Sequence, residues 1–333
     1  MMDSSDERRT DARFSADPVD STHPTSASDL APEADAGAPG DAPHAITDRE
    51  GGATDHPGGR VDRPVDSGGA TPFPDAAAEW SRTHRVDVDG MAVRYRCAGS
   101  GPAMLLAHGL GMSADYWWRN GPELAAAGYR VLAPDFPGFG RTGTPGRGIT
   151  IPESARFLAS FLDALRIDGA IAVGHSLSCQ AVLQLAADHP DQVRALVLAS
   201  PTGDRRRGRI LREAAGFVAD AFREPASLVP IVADAYLRTT VRHYAGTLRA
   251  ASKSDSFQVL PRVRAPGIVI VGSRDPIVPV PFARAMAHAL PRGHLTIIRG
   301  GAHAVIYDRA VRFNRVVLAW LRREFGQPGS PAA

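Results

Sequence analysis

The stretch Gly169-Ala170-Ile171-Ala172-Val173-Gly174-His175-Ser176-Leu177-Ser178-Cys179-Gln180 joins two different patterns of hydrophobicity. The apolar run up to Val173 indicates a buried strand, and apolar residues then recur at helical spacing from Leu177 to the break at His189-Pro190. We therefore expect a tight strand-to-helix turn at Ser176. Such a turn holds its central residue in a strained conformation and presents that side chain at the carboxyl end of a sheet.

Small residues are needed on both sides of such a turn, because the strand and the helix approach each other closely. Gly174 meets this need before the serine, and Ser178 stands where a second glycine is usual. The motif is therefore G-x-S-x-S and not G-x-S-x-G. Serine is small enough for this departure to be tolerated.

The composition is typical of a globular protein of 333 residues, with 44% hydrophobic and 22% charged residues. The two cysteines, Cys97 and Cys179, are far apart and indicate neither a disulfide framework nor a zinc site. No apolar run approaches the length of a membrane-spanning helix, and the N-terminus is polar. We expect a cytoplasmic protein without membrane insertion or a metal site.

The net charge of +2 hides an asymmetry. The first 75 residues hold 16 acidic and 6 basic side chains, whereas the remainder holds 20 acidic and 32 basic side chains. The basic residues are scattered and are not interleaved with aromatic residues, so we do not expect nucleic-acid binding. We interpret residues 1–78 as a disordered acidic tail, because they show no periodic apolar face. Residues 79–333 would form the folded domain.

The rest of the chain alternates between strand-like and helix-like patterns. Asp89-Gly90 separates two alternating segments and predicts a hairpin. Further strands are predicted at 103–107, 130–133, 193–199, 267–271 and 294–298, and helices at 116–127, 151–165, 281–290 and 305–325. Residues of about 203–262 show only helical stretches, around 210–222, 228–237 and 243–250, and would form a lid. Fully apolar strands that alternate with helices predict an α/β fold with a mostly parallel sheet flanked by helices.

Residues 83–325 resemble the α/β-hydrolase fold superfamily in motifs that follow successive strands. These motifs are His108-Gly109-Leu110-Gly111, Asp135-x-Pro-Gly-x-Gly140, the turn at Ser176, Gly272-Ser-Arg-Asp275 and Gly301-Ala-His303. The order Ser, Asp, His is that of this superfamily. A serine in the turn separates the chain from the dehalogenases and epoxide hydrolases of the same fold, whose nucleophile is a carboxylate.

The resemblance implies a catalytic triad of Ser176, Asp275 and His303. A serine hydroxyl needs a base to remove its proton, and an imidazole oriented by a carboxylate is suited to this role. The resemblance also implies that the oxyanion hole is formed by the backbone N–H groups of Leu110 and Leu177. Each assignment has an alternative. Ser176 could serve only as a helix N-cap. Asp275 could be a turn residue, with Asp204 as the acid, and His303 could be a surface histidine, with His108 or His175 as the base.

The predicted function is a cofactor-free serine hydrolase that cleaves a small or medium apolar ester through an acyl-enzyme on Ser176. One alternative is a carbon–carbon bond hydrolase acting on a dienoic keto acid, for which an arginine within Arg205–Arg209 would anchor the carboxylate. An alternative of another class is a non-catalytic ligand-binding protein on the same fold. The partner in all three cases is a small molecule, and the oligomeric state is open.

Overall fold

A computed structural model of the chain describes residues 74–144, 146–203 and 226–328. Its described part contains one eight-stranded sheet with the order β1-β2-β4-β3-β5-β6-β7-β8. The strands are β1 His84–Val88, β2 Met91–Ala98, β3 Ala103–Ala107, β4 Arg130–Pro134, β5 Ala170–His175, β6 Val193–Ala199, β7 Gly267–Gly272 and β8 His294–Ile298. β2 is antiparallel to both β1 and β4, and all other neighbouring strands are parallel. The predicted fold class is confirmed.

The predicted hairpin is confirmed at its turn. Asp89 and Gly90 both have positive φ angles, of 52° and 81°. Two successive positive φ values are typical of the type I′ turn, whose twist matches that of the flanking strands. The N–H of Gly90 also donates to Asp87 Oδ1 at 3.0 Å, which stabilises the turn.

Helices cover both faces of the sheet. They are α1 Pro74–Ser81, α2 Gly121–Ala126, α3 Ile151–Ala164, α4 Ser178–Asp188, α5 Val229–Arg238, α6 Val241–Ala251, α7 Ser256–Val259, α8 Val280–Ala289, α9 Val305–Asp308 and α10 Ala310–Phe325. Leu105 packs with residues of α3, α4 and α8, whereas its neighbours Met104 and Leu106 pack with residues of α1, α2 and α10. Side chains alternate along a strand, so both faces of a doubly covered sheet must be apolar.

Two predicted helices are interrupted. The helix expected over 116–127 is a 3₁₀ turn at Ala114–Trp117 followed by α2, which has Pro122 in its first turn. A proline fits the start of a helix and breaks its interior, so the second segment begins anew there. The last helix is divided at Arg309, whose φ of −128° is not helical. Helix α1 crosses the boundary at residue 79 and buries Trp80 against the sheet.

The segment between β6 and β7 is helical where it is described. Residues 226–262 contain α5, α6, α7 and short 3₁₀ turns but no strand. The predicted helix at 210–222 lies outside the described residues. Within 74–144, 146–203 and 226–328, no helix has the length and hydrophobicity needed to cross a membrane.

Candidate active site

Ser176 lies in the turn between β5 and α4, as predicted. Its φ of 57° places a non-glycine residue in the left-handed region, and its side chain is largely buried. A Cβ atom on Gly174 would lie 2.9 Å from the backbone of Cys179, so only glycine fits where the strand meets the helix. The apolar strand and the glycine together force the serine into this conformation.

Ser178 replaces the usual glycine of the motif and uses its hydroxyl to brace the turn. The hydroxyl oxygen accepts a hydrogen bond from the N–H of His175 at 2.9 Å, and the hydroxyl lies 2.7 Å from the carbonyl oxygen of Ala107. Ala107 is the last residue of β3, which pairs with β5. The substitution therefore ties the turn to the neighbouring strand and leaves the strand-to-helix geometry intact.

Three of the predicted residues meet at the carboxyl end of the sheet. His303 Nε2 lies 2.9 Å from Ser176 Oγ, and His303 Nδ1 lies 3.1 Å and 3.2 Å from the two carboxylate oxygens of Asp275. A carboxylate only accepts hydrogen bonds, so Nδ1 carries the proton and the lone pair of Nε2 accepts the serine O–H. His303 follows β8 and Asp275 follows β7, so three parallel strands position the group.

Asp275 is held as a carboxylate. Its Oδ1 accepts the backbone N–H groups of Ile277 and Val278 at 2.8 Å and 2.9 Å. Burial raises the pKa of Asp275, but the charge of His303 and the hydrogen bonds from His303 and from these two N–H groups outweigh that effect, so the pKa lies below its ordinary value. The carboxylate therefore remains charged at neutral pH.

The two predicted oxyanion residues, Leu110 and Leu177, line the same small cavity. Leu110 follows β3, and Leu177 directly precedes α4. Neither backbone N–H donates a hydrogen bond to another group in the described parts of the chain. The loop before Leu110 is fixed by His108, whose Nε2 accepts the N–H of Phe136 at 3.1 Å. Burial is the main cause that lowers the pKa of His108, so the ring stays neutral and can accept this bond.

Comparison with known proteins agrees with this architecture. Residues 102–234 match a family model described as the alpha/beta hydrolase fold. Over 268 residues the chain is 31% identical to a protein of Variovorax paradoxus named provisionally as the carbamate hydrolase RutD, covering 73% of this chain and 100% of that protein. The chain belongs to the α/β-hydrolase fold family. It is accordingly a hydrolase.

Other relatives of this hydrolase differ in activity. It is 29% identical over 264 residues to the 2-hydroxy-6-oxononadienedioate/2-hydroxy-6-oxononatrienedioate hydrolase of Burkholderia vietnamiensis, covering 70% of this chain and 92% of that protein. A 130-residue match of 41% identity to the dihydrolipoyllysine-residue acetyltransferase component of the acetoin cleaving system of Cupriavidus necator covers 39% of this chain and only 34% of that protein. The crystal structure of the enol-lactonase from Burkholderia xenovorans has a TM-score of 0.62 and 24% identity, covering 72% of this chain and 99% of that chain. The likeness to the enol-lactonase shows the fold alone.

His175, the alternative candidate for the base, contacts the backbone of His303. Its Nε2 lies 3.1 Å from the carbonyl oxygen of His303, and the two rings are 5.2 Å apart. Burial, followed by the nearby charge of His303, lowers the pKa of His175 to about 3. The neutral ring therefore donates from Nε2 to the backbone of His303, and it has no contact with Ser176 Oγ that would let it serve as the base.

A small cavity adjoins Leu110 and Leu177 in the hydrolase, and sequence reasoning did not identify its walls. Phe136, Phe139 and Ile149 line it, together with Ala181 of α4. These residues come from separate segments, and only the common apolar character of the segments was visible in the sequence. Tyr236 and Leu237 of α5 are exposed and do not line this cavity.

Several candidates considered from the sequence fall elsewhere. Asp204 and Arg205–Arg209 lie outside the described residues. Cys179 is buried, and burial raises the pKa of its thiol well above the ordinary value, so the thiol is unreactive. No group of three or more metal-ligating side chains is present among the residues that the structure describes.

Proposed function

We propose that this hydrolase cleaves carboxylic esters through a covalent acyl-enzyme on Ser176. The observation that carries the proposal is the continuous hydrogen-bonded series from Asp275 through His303 to Ser176 Oγ, with distances of 3.1 Å and 2.9 Å. The nucleophile and the base are already within the distance needed for proton transfer.

The reaction proceeds by two acyl transfers. Ser176 Oγ attacks the ester carbonyl carbon while its proton passes to His303 Nε2, and Asp275 stabilises the imidazolium that forms. The N–H groups of Leu110 and Leu177 bind the oxyanion; loss of one such donor costs about 2.7–4 kcal/mol of barrier. His303 then protonates the departing alcohol, and a water molecule, deprotonated by His303, releases the carboxylic acid and restores Ser176.

Two other functions fit the same fold less well. The relative in Burkholderia vietnamiensis favours carbon–carbon bond hydrolysis, which requires a cationic side chain for the substrate carboxylate. The cavity beside Leu110 and Leu177 is lined mainly by apolar side chains, which suits an apolar ester. A non-catalytic binding protein would not need Ser176 Oγ and His303 Nε2 to be 2.9 Å apart.

The proposal is tested by labelling with a fluorophosphonate, which reacts with activated serines. We expect the wild type and Ser160→Ala, a serine replacement in the middle of α3, to be labelled at the same rate and Ser176→Ala to remain unlabelled. Asp275→Asn should fold and lose about 10⁴-fold in kcat on p-nitrophenyl acetate, because the imidazole would adopt the wrong tautomer. Equal labelling of Ser176→Ala and wild type would refute an activated Ser176.

A further inference from the structure

The cavity beside Leu110 and Leu177 lies on one particular side of the reacting carbon. In the proposed acyl transfer, the carbonyl carbon bonded to Ser176 Oγ carries an oxyanion, a leaving oxygen and the acyl substituent. The leaving oxygen must reach His303 Nε2 to receive a proton. Neither His303 nor Asp275 lines the cavity, whereas both residues of the proposed oxyanion hole do. The cavity is therefore on the acyl side.

Gly109 brings the wall of the cavity close to Ser176. It lines the cavity, and a Cβ atom at this position would lie 3.6 Å from Ser176 Cβ and 3.1 Å from His175 Nδ1. A side chain at this position would crowd His175, so glycine lets this part of the cavity wall lie close to Ser176. On the other side, the cavity follows one turn of α4 from Leu177 to Ala181, a rise of about 6 Å.

Each of the four polar side chains that line the cavity has a hydrogen-bond partner within the protein. His108 Nε2 accepts the N–H of Phe136, and Thr247 Oγ1 accepts the N–H of Ile149 at 3.1 Å. The hydroxyls of Ser154 and Ser178 donate to the carbonyl oxygens of Thr150 and Ala107 at 2.9 Å and 2.7 Å. Because these groups already have protein partners, the cavity suits an apolar occupant and would penalise an unpaired polar one.

The cavity is also short. Its volume has room for about one or two water-sized groups. Ile149 and Thr247 bound it, and the bond between the Ile149 N–H and Thr247 Oγ1 fixes α6 against the loop that precedes α3. This wall is built from buried side chains that belong to two different segments, so it does not yield easily to a longer chain.

We infer that this cavity is the acyl subsite of the enzyme and that it limits the acyl group to two or three carbons, so that the substrates are acetyl and propionyl esters. The inference rests on the proposed ester hydrolysis at Ser176. It makes Ile149 and Ala181 the residues that determine acyl-chain length.

The test is kcat/KM of the full chain for p-nitrophenyl esters from acetate to octanoate. A methylene that does not fit an apolar pocket costs about 10–200-fold, so the wild type should fall at least about tenfold between propionate and hexanoate. Ile149→Ala enlarges the cavity and should move the optimum to butyrate or hexanoate. Ala181→Val narrows it and should reduce activity on propionate relative to acetate by about tenfold.

The matched control is Ile167→Ala, the same truncation at a buried position that does not line the cavity. Its acyl-chain profile should equal that of the wild type. If Ile149→Ala does not fold, Ile149→Val should show a smaller shift in the same direction. A second series of substrates, alkyl acetates from methyl to hexyl, varies the alcohol part of the ester. The dependence of kcat/KM on the length of the alcohol should be the same in all variants and in the wild type.

Three results would overturn the inference. They are a wild-type profile that is flat from acetate to octanoate, an unchanged profile in Ile149→Ala and Ala181→Val, and a shift confined to the alcohol series. If one of these results is found and the fluorophosphonate still labels Ser176, the assignment of the cavity as the acyl subsite is wrong, but the proposed ester hydrolysis stands. If Ser176 is not labelled, the proposed function fails and the acyl subsite falls with it.

Discussion

At the scale of single residues, Ser176 has a strained backbone conformation, and its hydroxyl lies within hydrogen-bond distance of His303. Its φ of 57° is a conformation that glycine adopts freely and that costs other residues about 1–2 kcal/mol. The surrounding structure maintains this conformation through the close approach of Gly174 to α4 and through the hydroxyl of Ser178. We interpret the strain as the means by which the turn aims the hydroxyl at His303.

This strain predicts an unusual order of stabilities. Ser176→Gly should be more stable than Ser176→Ala by about 1 kcal/mol, because only glycine relieves the left-handed strain. The free energy of unfolding in urea measures the difference. The matched pair is Ser160→Gly and Ser160→Ala in the middle of α3, where glycine should be the less stable by about 1 kcal/mol. If the glycine variant is less stable than the alanine variant at position 176 as well as at position 160, the backbone of Ser176 is not strained.

At the scale of secondary-structure elements, a buried charge network joins β2, β4 and the 3₁₀ turn at Ala114–Trp117. Arg94 of β2 donates to Asp135 at 3.1 Å and to Asp115 at 2.5 Å, and Arg94 and Asp135 are fully buried. Asp135 also accepts the N–H groups of Ala114 and Arg141 at 2.7 Å and 2.8 Å. One ion pair thus fixes the loops that follow two neighbouring strands.

Removal of Arg94 should therefore be costly. Arg94→Met leaves the carboxylate of Asp135 buried without its partner, which should reduce the free energy of unfolding by about 3–5 kcal/mol. In Arg94→Met/Asp135→Asn the buried charge is also removed, and part of the loss should be recovered. The control is Arg238→Met, which breaks the exposed pair with Asp234 and should reduce the free energy of unfolding far less, because solvent screens an exposed pair. Equal losses in the two single variants, measured in urea, would show that Asp135 does not depend on Arg94.

Elements with strong local patterns could be predicted from the sequence, whereas contacts between distant segments could not. The strands at 103–107, 193–199 and 294–298 match the structure because each is an apolar run between clear breaks. The alternation in β2 would place Arg94 towards solvent, but Asp135, 41 residues away, buries it. The cavity is unpredictable for the same reason, since its walls come from segments that share no motif.

At the scale of the whole molecule, several groups make the folded state sensitive to acid. Burial lowers the pKa of His175 to about 3 and holds the pKa of His108 below its ordinary value of 6.5. A hydrogen bond from Arg147 is the main cause that lowers the pKa of Glu153 to about 2. In each case the unfolded chain binds protons at a higher pH than the folded chain does. The stability that these groups contribute is therefore complete above their ordinary pKa values and is lost as the pH falls.

The histidines dominate the first part of this loss, because their ordinary pKa values lie above those of the carboxylates. Between pH 6.5 and about 4.5, each histidine that stays neutral only in the folded state should reduce the free energy of unfolding by up to about 1.4 kcal/mol per pH unit. His175→Gln removes one such group and retains an N–H donor for the carbonyl of His303, so its stability should fall less steeply over this range. Urea unfolding at four pH values from 7.5 to 4.5 measures both slopes, and the control His288→Gln, at an exposed position, should retain the wild-type slope. If His175→Gln and the wild type lose stability equally, His175 is not held neutral by the fold, and its support of the His303 backbone must have another origin.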